Sequence, residues 1–142
     1  TFSKAYGLAG IRVGYAISSP DVADLLNRVR QPFNVNSLAL AGAEAAIADS
    51  AFLERSLRDN AAGAIQLGEG FEQLGLGVTP SACNFLLADL GRDAAAVNEA
   101  LMRQGVIVRP VANYGLPHHL RITIGTASQN ERLLGALKAA LD

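Results

Sequence analysis

The chain has 142 residues, half of them apolar and 18% charged, with a formal net charge of -1. That length and composition suit a globular chain able to bury a core and exclude an intrinsically disordered one. The near-neutral balance gives no general attraction to nucleic acid or to an anionic membrane, and no apolar run approaches the roughly 20 residues of a membrane-spanning helix.

The segment "GIRVGYAI", residues 10–17, places Ile11, Val13, Tyr15 and Ile17 at period two and predicts a short strand. A helix should follow it. Ser19 can cap that helix, Pro20 suits its first turn, and Asp21 meets its positive end. Val22, Leu25, Leu26 and Val29 form a stripe that predicts packing against another surface. "QPFNVNS" interrupts the pattern, and an alanine-rich helix is expected over residues 38–48. Between residues 52 and 74 a longer helical pattern runs through Leu53, Leu57, Ala61, Ile65 and Phe71. Gly63, Gly68 and Gly70 weaken it by roughly 1 kcal/mol each against alanine, so a break or bend near Gly68 is expected.

Gly75 and Gly77 read as turn or cap positions, and "SACNFLLADL" as a strand. The lone cysteine, Cys83, excludes an intrachain disulfide framework and fits a reducing compartment; in this context it reads as a buried structural thiol. "RDAAAVNEALMRQG" reads as a helix closed by Gly105. "VIVRPV" and "LRITIG" read as strands separated by a turn, "ANYGLPHH", whose His118 and His119 should face solvent, with no metal-ligand spacing around them. The last helix carries a stripe of Leu133, Leu134, Leu137, Ala140 and Leu141, with Ser128 and Glu131 as its expected capping box. The order of elements implies an α/β fold. Residues from about 76 onward could form a compact subdomain, while the first strand and its helices read as the trailing edge of a larger domain.

One stretch carries chemistry. In "TFSKAYGLAGIRVGY", Lys4 is one of only two lysines, and Arg12 stands eight residues beyond it. A lysine amine can hold an aldehyde cofactor covalently as an imine, then act as acid or base once displaced. Thr1 and Ser3 offer hydroxyls and Arg12 a planar cation, as an attached phosphate would require. Spacing alone favours the plainer reading, a lysine and an arginine making scattered solvent contacts. The glycines here lack the spacing and strand-to-helix context of a dinucleotide fingerprint.

This stretch resembles the lysine-bearing segment of the fold-type I pyridoxal-phosphate aminotransferases, in particular the histidinol-phosphate aminotransferase branch. "GVIVRPVANYGLPHHLRITIGTASQNERLL" resembles the C-terminal segment of the same branch, so the resemblance spans essentially the whole chain. It implies the C-terminal part of an α/β fold-type I aminotransferase. Residues 1–50 would be the trailing part of the large cofactor-binding domain, 51–75 an interdomain helix, and 76–142 the small α/β domain.

The resemblance also implies roles. Lys4 matches the lysine that carries pyridoxal 5'-phosphate, while Arg12, Thr1 and Ser3 match groups around the cofactor phosphate. Arg121 matches the arginine for the substrate α-carboxylate, and Arg109 the arginine at the phosphate end of histidinol phosphate. Without the resemblance both arginines read as ordinary surface or salt-bridge residues. The implied reaction is amino transfer between histidinol phosphate and 2-oxoglutarate in histidine biosynthesis, by a cytoplasmic homodimer whose interface completes the site. An aromatic amino acid aminotransferase, or a non-enzymatic interaction module derived from an aminotransferase, are the alternative readings. The family's remaining ring-binding groups come from segments before the lysine and from the partner subunit, so the 142 residues alone are expected to be inactive. Asn84, Tyr6 and Tyr114 read as site-lining or simply packed residues, and no metal is expected.

Overall fold

The computed structural model describes all residues, Thr1–Asp142. The chain divides into two compact units, Thr1–Leu57 and Arg58–Asp142.

The first unit holds no strand. Where a strand was expected over residues 10–17, a 3-10 turn at Ala9–Ile11 leads into irregular backbone. A strand needs a neighbour to satisfy its ladder, and the only pairing given to this segment is the Phe2 N–H donating to the Val13 carbonyl at 3.1 Å. Helix α1, Pro20–Val29, forms where Pro20 and Asp21 predict it. Its cap differs: the Ser19 side chain makes no capping bond, and the Ser19 carbonyl accepts from Ala23 N–H at 3.0 Å. The expected packing of its apolar stripe is also absent, since Val22, Leu25, Leu26 and Val29 are 45–78% exposed.

Helix α2, Ser37–Ala48, starts at Asn36, whose Oδ1 accepts from Ala39 N–H at 2.8 Å. Its small residues do what small residues permit: Ala39 and Ala43 are buried with Phe2 and Val13, and these four make the unit's whole buried core.

Helix α3, Ser50–Gln73, is unbroken at Gly68, contrary to the propensity argument. Two of its glycines are there for close approach. A Cβ on Gly63 would lie 2.6 Å from Ile124 Cγ2, and one on Gly70 would lie 2.5 Å from Leu134 Cδ1. Packing of the helix on its neighbours outweighs the intrinsic weakness of glycine.

The second unit contains β1 (Gly77–Thr79), β2 (Phe85–Asp89), α4 (Ala94–Arg103), β3 (Arg109–Val111), β4 (Leu116–Thr123) and α5 (Ala127–Leu141). The four strands form one antiparallel sheet in the order β1-β2-β4-β3. Strand β1 begins at Gly77, which was expected as a turn or cap position. Strand β4 begins at Leu116, so His118 and His119 stand in a strand rather than a turn; Gly115, at φ 78°, makes the turn immediately before it.

Alternation along the strands buries Leu86, Ala88, Leu120 and Ile122 against Leu67 and Phe71 of α3, Val97 and Leu101 of α4, and Leu133 and Leu137 of α5. Asp93 caps α4, accepting from Ala95 N–H at 3.0 Å. The capping box of α5 is Thr126 with Gln129, not Ser128 with Glu131; the same i, i+3 chemistry fits two residues earlier, where the chain leaves β4. Cys83 is exposed in the loop before β2, because the ladder starts only at Phe85 and turns of backbone precede it.

Candidate functional site

The segment around Lys4 is held by its backbone and one aromatic anchor. Phe2 is buried, and its ring lies 4.9 Å from that of Tyr6 and 6.0 Å from that of Tyr15. Leu8 N–H donates to the Phe2 carbonyl at 2.9 Å, and Gly7 N–H to the Lys4 carbonyl at 2.8 Å. Gly7 takes φ 70°, so Lys4 heads a tight turn that glycine closes without a Cβ penalty. The side chain of Lys4 is exposed and its ammonium has no hydrogen-bond or ion-pair partner. Tyr6 is half-buried and packs on Phe2.

Gly14 lets Thr1 lie close by: a Cβ at Gly14 would sit 3.1 Å from Thr1 Cα. Thr1 and Ser3 are brought together, with Thr1 Oγ1 donating to Ser3 Oγ at 2.9 Å and accepting from Ser3 N–H at 3.1 Å. Arg12 has φ 56°, left-handed backbone that a non-glycine residue rarely adopts. Such a conformation costs on the order of 1–3 kcal/mol and persists where surrounding structure imposes it, commonly at ligand sites. Its guanidinium folds back so that Nη1 donates to the Ala9 carbonyl at 2.9 Å, which holds the cation while leaving its other donors free.

These features fit a phosphate-bearing aldehyde cofactor. An unpartnered amine suits the carbonyl carbon; a hydroxyl pair and a tethered guanidinium suit the phosphate.

The second group lies in the sheet of the second unit. Arg109 on β3 is directly opposite Arg121 on β4, and Leu87 on β2 is opposite Arg121 on its other side. Direct partners in an antiparallel pair project from the same face, with Cβ atoms about 5 Å apart. Arg121 is half-buried and its Cζ lies over the Phe85 ring, 5.0 Å from the centroid. Neither guanidinium has a hydrogen bond or an ion pair. Like charges facing each other across strands repel, and a shared anion would reverse that repulsion.

The same face carries His119 opposite Asp89, with Nε2 3.8 Å from Asp89 Oδ2. Asn84 is half-buried, and its carbonyl accepts from Ile124 N–H at 3.0 Å, extending the β2–β4 pairing by one step. Tyr114 is exposed on the 3-10 turn Ala112–Tyr114.

An open cavity of about 380 Å³ lies between residues 105–108 and the start of α5; Thr123, Gln129, Asn130 and Arg132 supply its polar lining, and none of the expected site residues reaches it. No group of three or more His, Cys, Asp or Glu side chains could hold a metal ion, and no helix is long and apolar enough to cross a membrane.

Two features were not legible from spacing. The pairing of Arg109 with Arg121 depends on the register of a hairpin containing a bulge between Pro110 and Val111. The Phe85 ring beneath Arg121 depends on β2 lying beside β4. The period-two run Phe85, Leu87, Asp89 was the one available signal, because it shows which residues share a face.

The sequence matches the family profile described as aminotransferase class I and II over residues 1–137. The chain is 62% identical over 141 residues to histidinol-phosphate aminotransferase 2 of Pseudomonas fluorescens, covering 99% of this chain and 38% of the relative. It is 57% identical to histidinol-phosphate aminotransferase 2 of Methylococcus capsulatus, again covering 99% and 38%. Among solved structures, the histidinol-phosphate aminotransferase of Sinorhizobium meliloti in complex with pyridoxal-5'-phosphate superposes with a TM-score of 0.89. That structure is 35% identical, with 99% of this chain and 40% of that chain covered. The chain therefore spans about two-fifths of the length of the curated relatives it matches. With its mixed helices and antiparallel sheet inside that match, the chain belongs to the class I and II aminotransferase family.

Proposed function

We propose that this chain is the C-terminal part of a pyridoxal-phosphate-dependent aminotransferase that exchanges the amino group of histidinol phosphate with 2-oxoglutarate, in histidine biosynthesis. Residues 1–50 then belong to the large cofactor-binding domain, 51–75 to the helix joining the domains, and 76–142 to the small domain. The whole protein works as a cytoplasmic homodimer.

The observation that carries this reading is the cross-strand pair Arg109 and Arg121, two guanidiniums on one sheet face with every donor uncommitted. A phosphate monoester carries nearly two negative charges at neutral pH and several acceptor oxygens. It matches a pair of guanidiniums better than a single carboxylate does. The names of the relatives in Pseudomonas fluorescens and Methylococcus capsulatus support the same substrate.

Pyridoxal phosphate supplies an aldehyde carbon for an amine and a ring that stabilises negative charge at the reacting carbon. Lys4 Nζ is the amine that would hold it covalently and, when free, would take and return the proton at the substrate's amine-bearing carbon. Thr1, Ser3 and Arg12 hold the cofactor phosphate. Arg121 takes the α-carboxylate of glutamate or 2-oxoglutarate in a bidentate pair. Arg109 takes the phosphate of histidinol phosphate, with Arg121 beside it.

The test uses the whole protein to which this chain belongs. Borohydride reduction in the presence of pyridoxal phosphate, followed by peptide mapping, should place the adduct on Lys4, and Lys4→Ala should abolish transamination of histidinol phosphate. An adduct on another lysine, or faster turnover of phenylalanine than of histidinol phosphate, would overturn the proposal.

A further inference from the structure

We propose that Phe85 is a positioning residue for Arg121, its ring doing the work that a carboxylate does for most ordered arginines. The inference rests on the reading of Arg121 as an anion-binding residue and adds to it how that residue is held.

An arginine side chain has many rotatable bonds, and a binding arginine must be ordered before its ligand arrives or the ligand bears the entropy of ordering it. The usual device is an ion pair with Asp or Glu. Within this chain no carboxylate lies within ion-pair distance of Arg121, and its guanidinium makes no hydrogen bond to it. On the same face, Asp89 lies two residues further along β2; its Oδ1 accepts from Gly91 N–H at 3.0 Å and its Oδ2 lies 3.8 Å from His119 Nε2. What the guanidinium does have is the Phe85 ring, 5.0 Å from Cζ to centroid.

The two devices differ in what they leave for a ligand. A carboxylate would neutralise the cation and occupy two of its five donors. A ring attracts the cation through its face and accepts none of the N–H groups in the conventional sense, so the charge and the donors remain available. The position of Phe85 makes this geometrically natural. It pairs with Thr123 and Leu87 pairs with Arg121, so Phe85 and Arg121 are diagonal neighbours on one face of the β2–β4 ladder. Diagonal neighbours are within reach of an aromatic and a long side chain. Arg109, opposite Arg121 on the other side, can only repel it in the absence of an anion. The ring is therefore an attractive contact that holds the Arg121 guanidinium beside a like charge.

The test compares variants of the whole holoenzyme with histidinol phosphate and glutamate as substrates and with inorganic phosphate as a competitive inhibitor. Phe85→Leu keeps an apolar side chain and removes the ring face. It should raise both KM values and the inhibition constant of phosphate on the order of five-fold, with kcat changed less than two-fold. Phe85→Tyr keeps the face and should restore values close to those of the parent. Replacing Phe85 by pentafluorophenylalanine keeps the shape and depletes the ring of electron density, so it should weaken binding as Leu does even if Leu disturbs folding. In an Arg121→Met background, Phe85→Leu should have no further effect on phosphate inhibition.

Unchanged KM in the pentafluoro variant, or additive losses in the double variant, would overturn the positioning role. If Arg121→Met itself leaves KM and phosphate inhibition unchanged, the reading of Arg121 as the anion-binding residue fails, and the positioning role falls with it.

Discussion

The two units make different use of the same kind of sequence. In Arg58–Asp142, apolar periodicity on three helices and alternation on two central strands meet in one buried cluster that includes Leu67, Phe71, Leu101, Leu120 and Leu137. In Thr1–Leu57, an equally regular stripe on α1 meets nothing, and the buried core is limited to Phe2, Val13, Ala39 and Ala43. A stripe states that a surface should be covered; only other elements can cover it. The units also differ in what they offer chemically. The first presents a lysine amine on a tight turn and, eight residues further on, an arginine in left-handed backbone; the second presents two arginines paired by strand register.

That contrast can be broken most directly at the cores. Leu120→Ala should destabilise the second unit by about 2–5 kcal/mol, read as a shift of the urea midpoint. Leu25→Ala, on the exposed stripe of α1, should change stability by no more than about 0.5 kcal/mol in the same 142-residue chain. Equal losses would mean that the α1 stripe is packed after all.

Gly63→Ala places a methyl against Ile124, the Asn130 amide and the Gly125 carbonyl, and should cost about 1–3 kcal/mol. A methyl on Gly68 would meet nothing within 4 Å, so Gly68→Ala should stabilise the helix by about 1 kcal/mol. If both substitutions stabilise, close approach is not the reason for glycine at position 63.

The smallest expected effect concerns the start of α5. Thr126→Ala removes one arm of the capping box and should cost about 1 kcal/mol. Ser128→Ala loses only an exposed hydroxyl contact at 3.2 Å and should stay within about 0.5 kcal/mol. Thermal unfolding monitored by circular dichroism separates the two, and the reverse order would restore Ser128 as the cap.

Much of the architecture was legible in the residues because its signals are local. Pro20 and Asp21 mark the start of α1, the "NVNS" run contains the Asn36 cap of α2, and the leucine stripe of α5 is continuous. The misreadings share one physical cause. Residues 10–17 alternate like a strand, yet no neighbouring strand in their unit completes a ladder. Gly68 looked like a break, yet α3 runs on because Gly63 and Gly70 let it pack closely. His118 and His119 followed turn residues, yet pairing with β2 draws them into β4. In each instance a non-local partner, present or missing, outweighed the local preference.

The candidate site divides in the same way. The sequence by itself determined the reactive groups: an amine at Lys4, hydroxyls at Thr1 and Ser3, and guanidiniums at Arg12, Arg109 and Arg121, because chemistry is a property of the side chain. It also determined the family, because ordered motifs survive in one dimension. Only the tertiary structure decided that Thr1 bonds to Ser3, that Arg12 sits in left-handed backbone, that Arg109 faces Arg121, and that Phe85 lies beneath it. Those relations depend on turns closing and on strands choosing a register, and register is settled by which face each strand buries in the shared core.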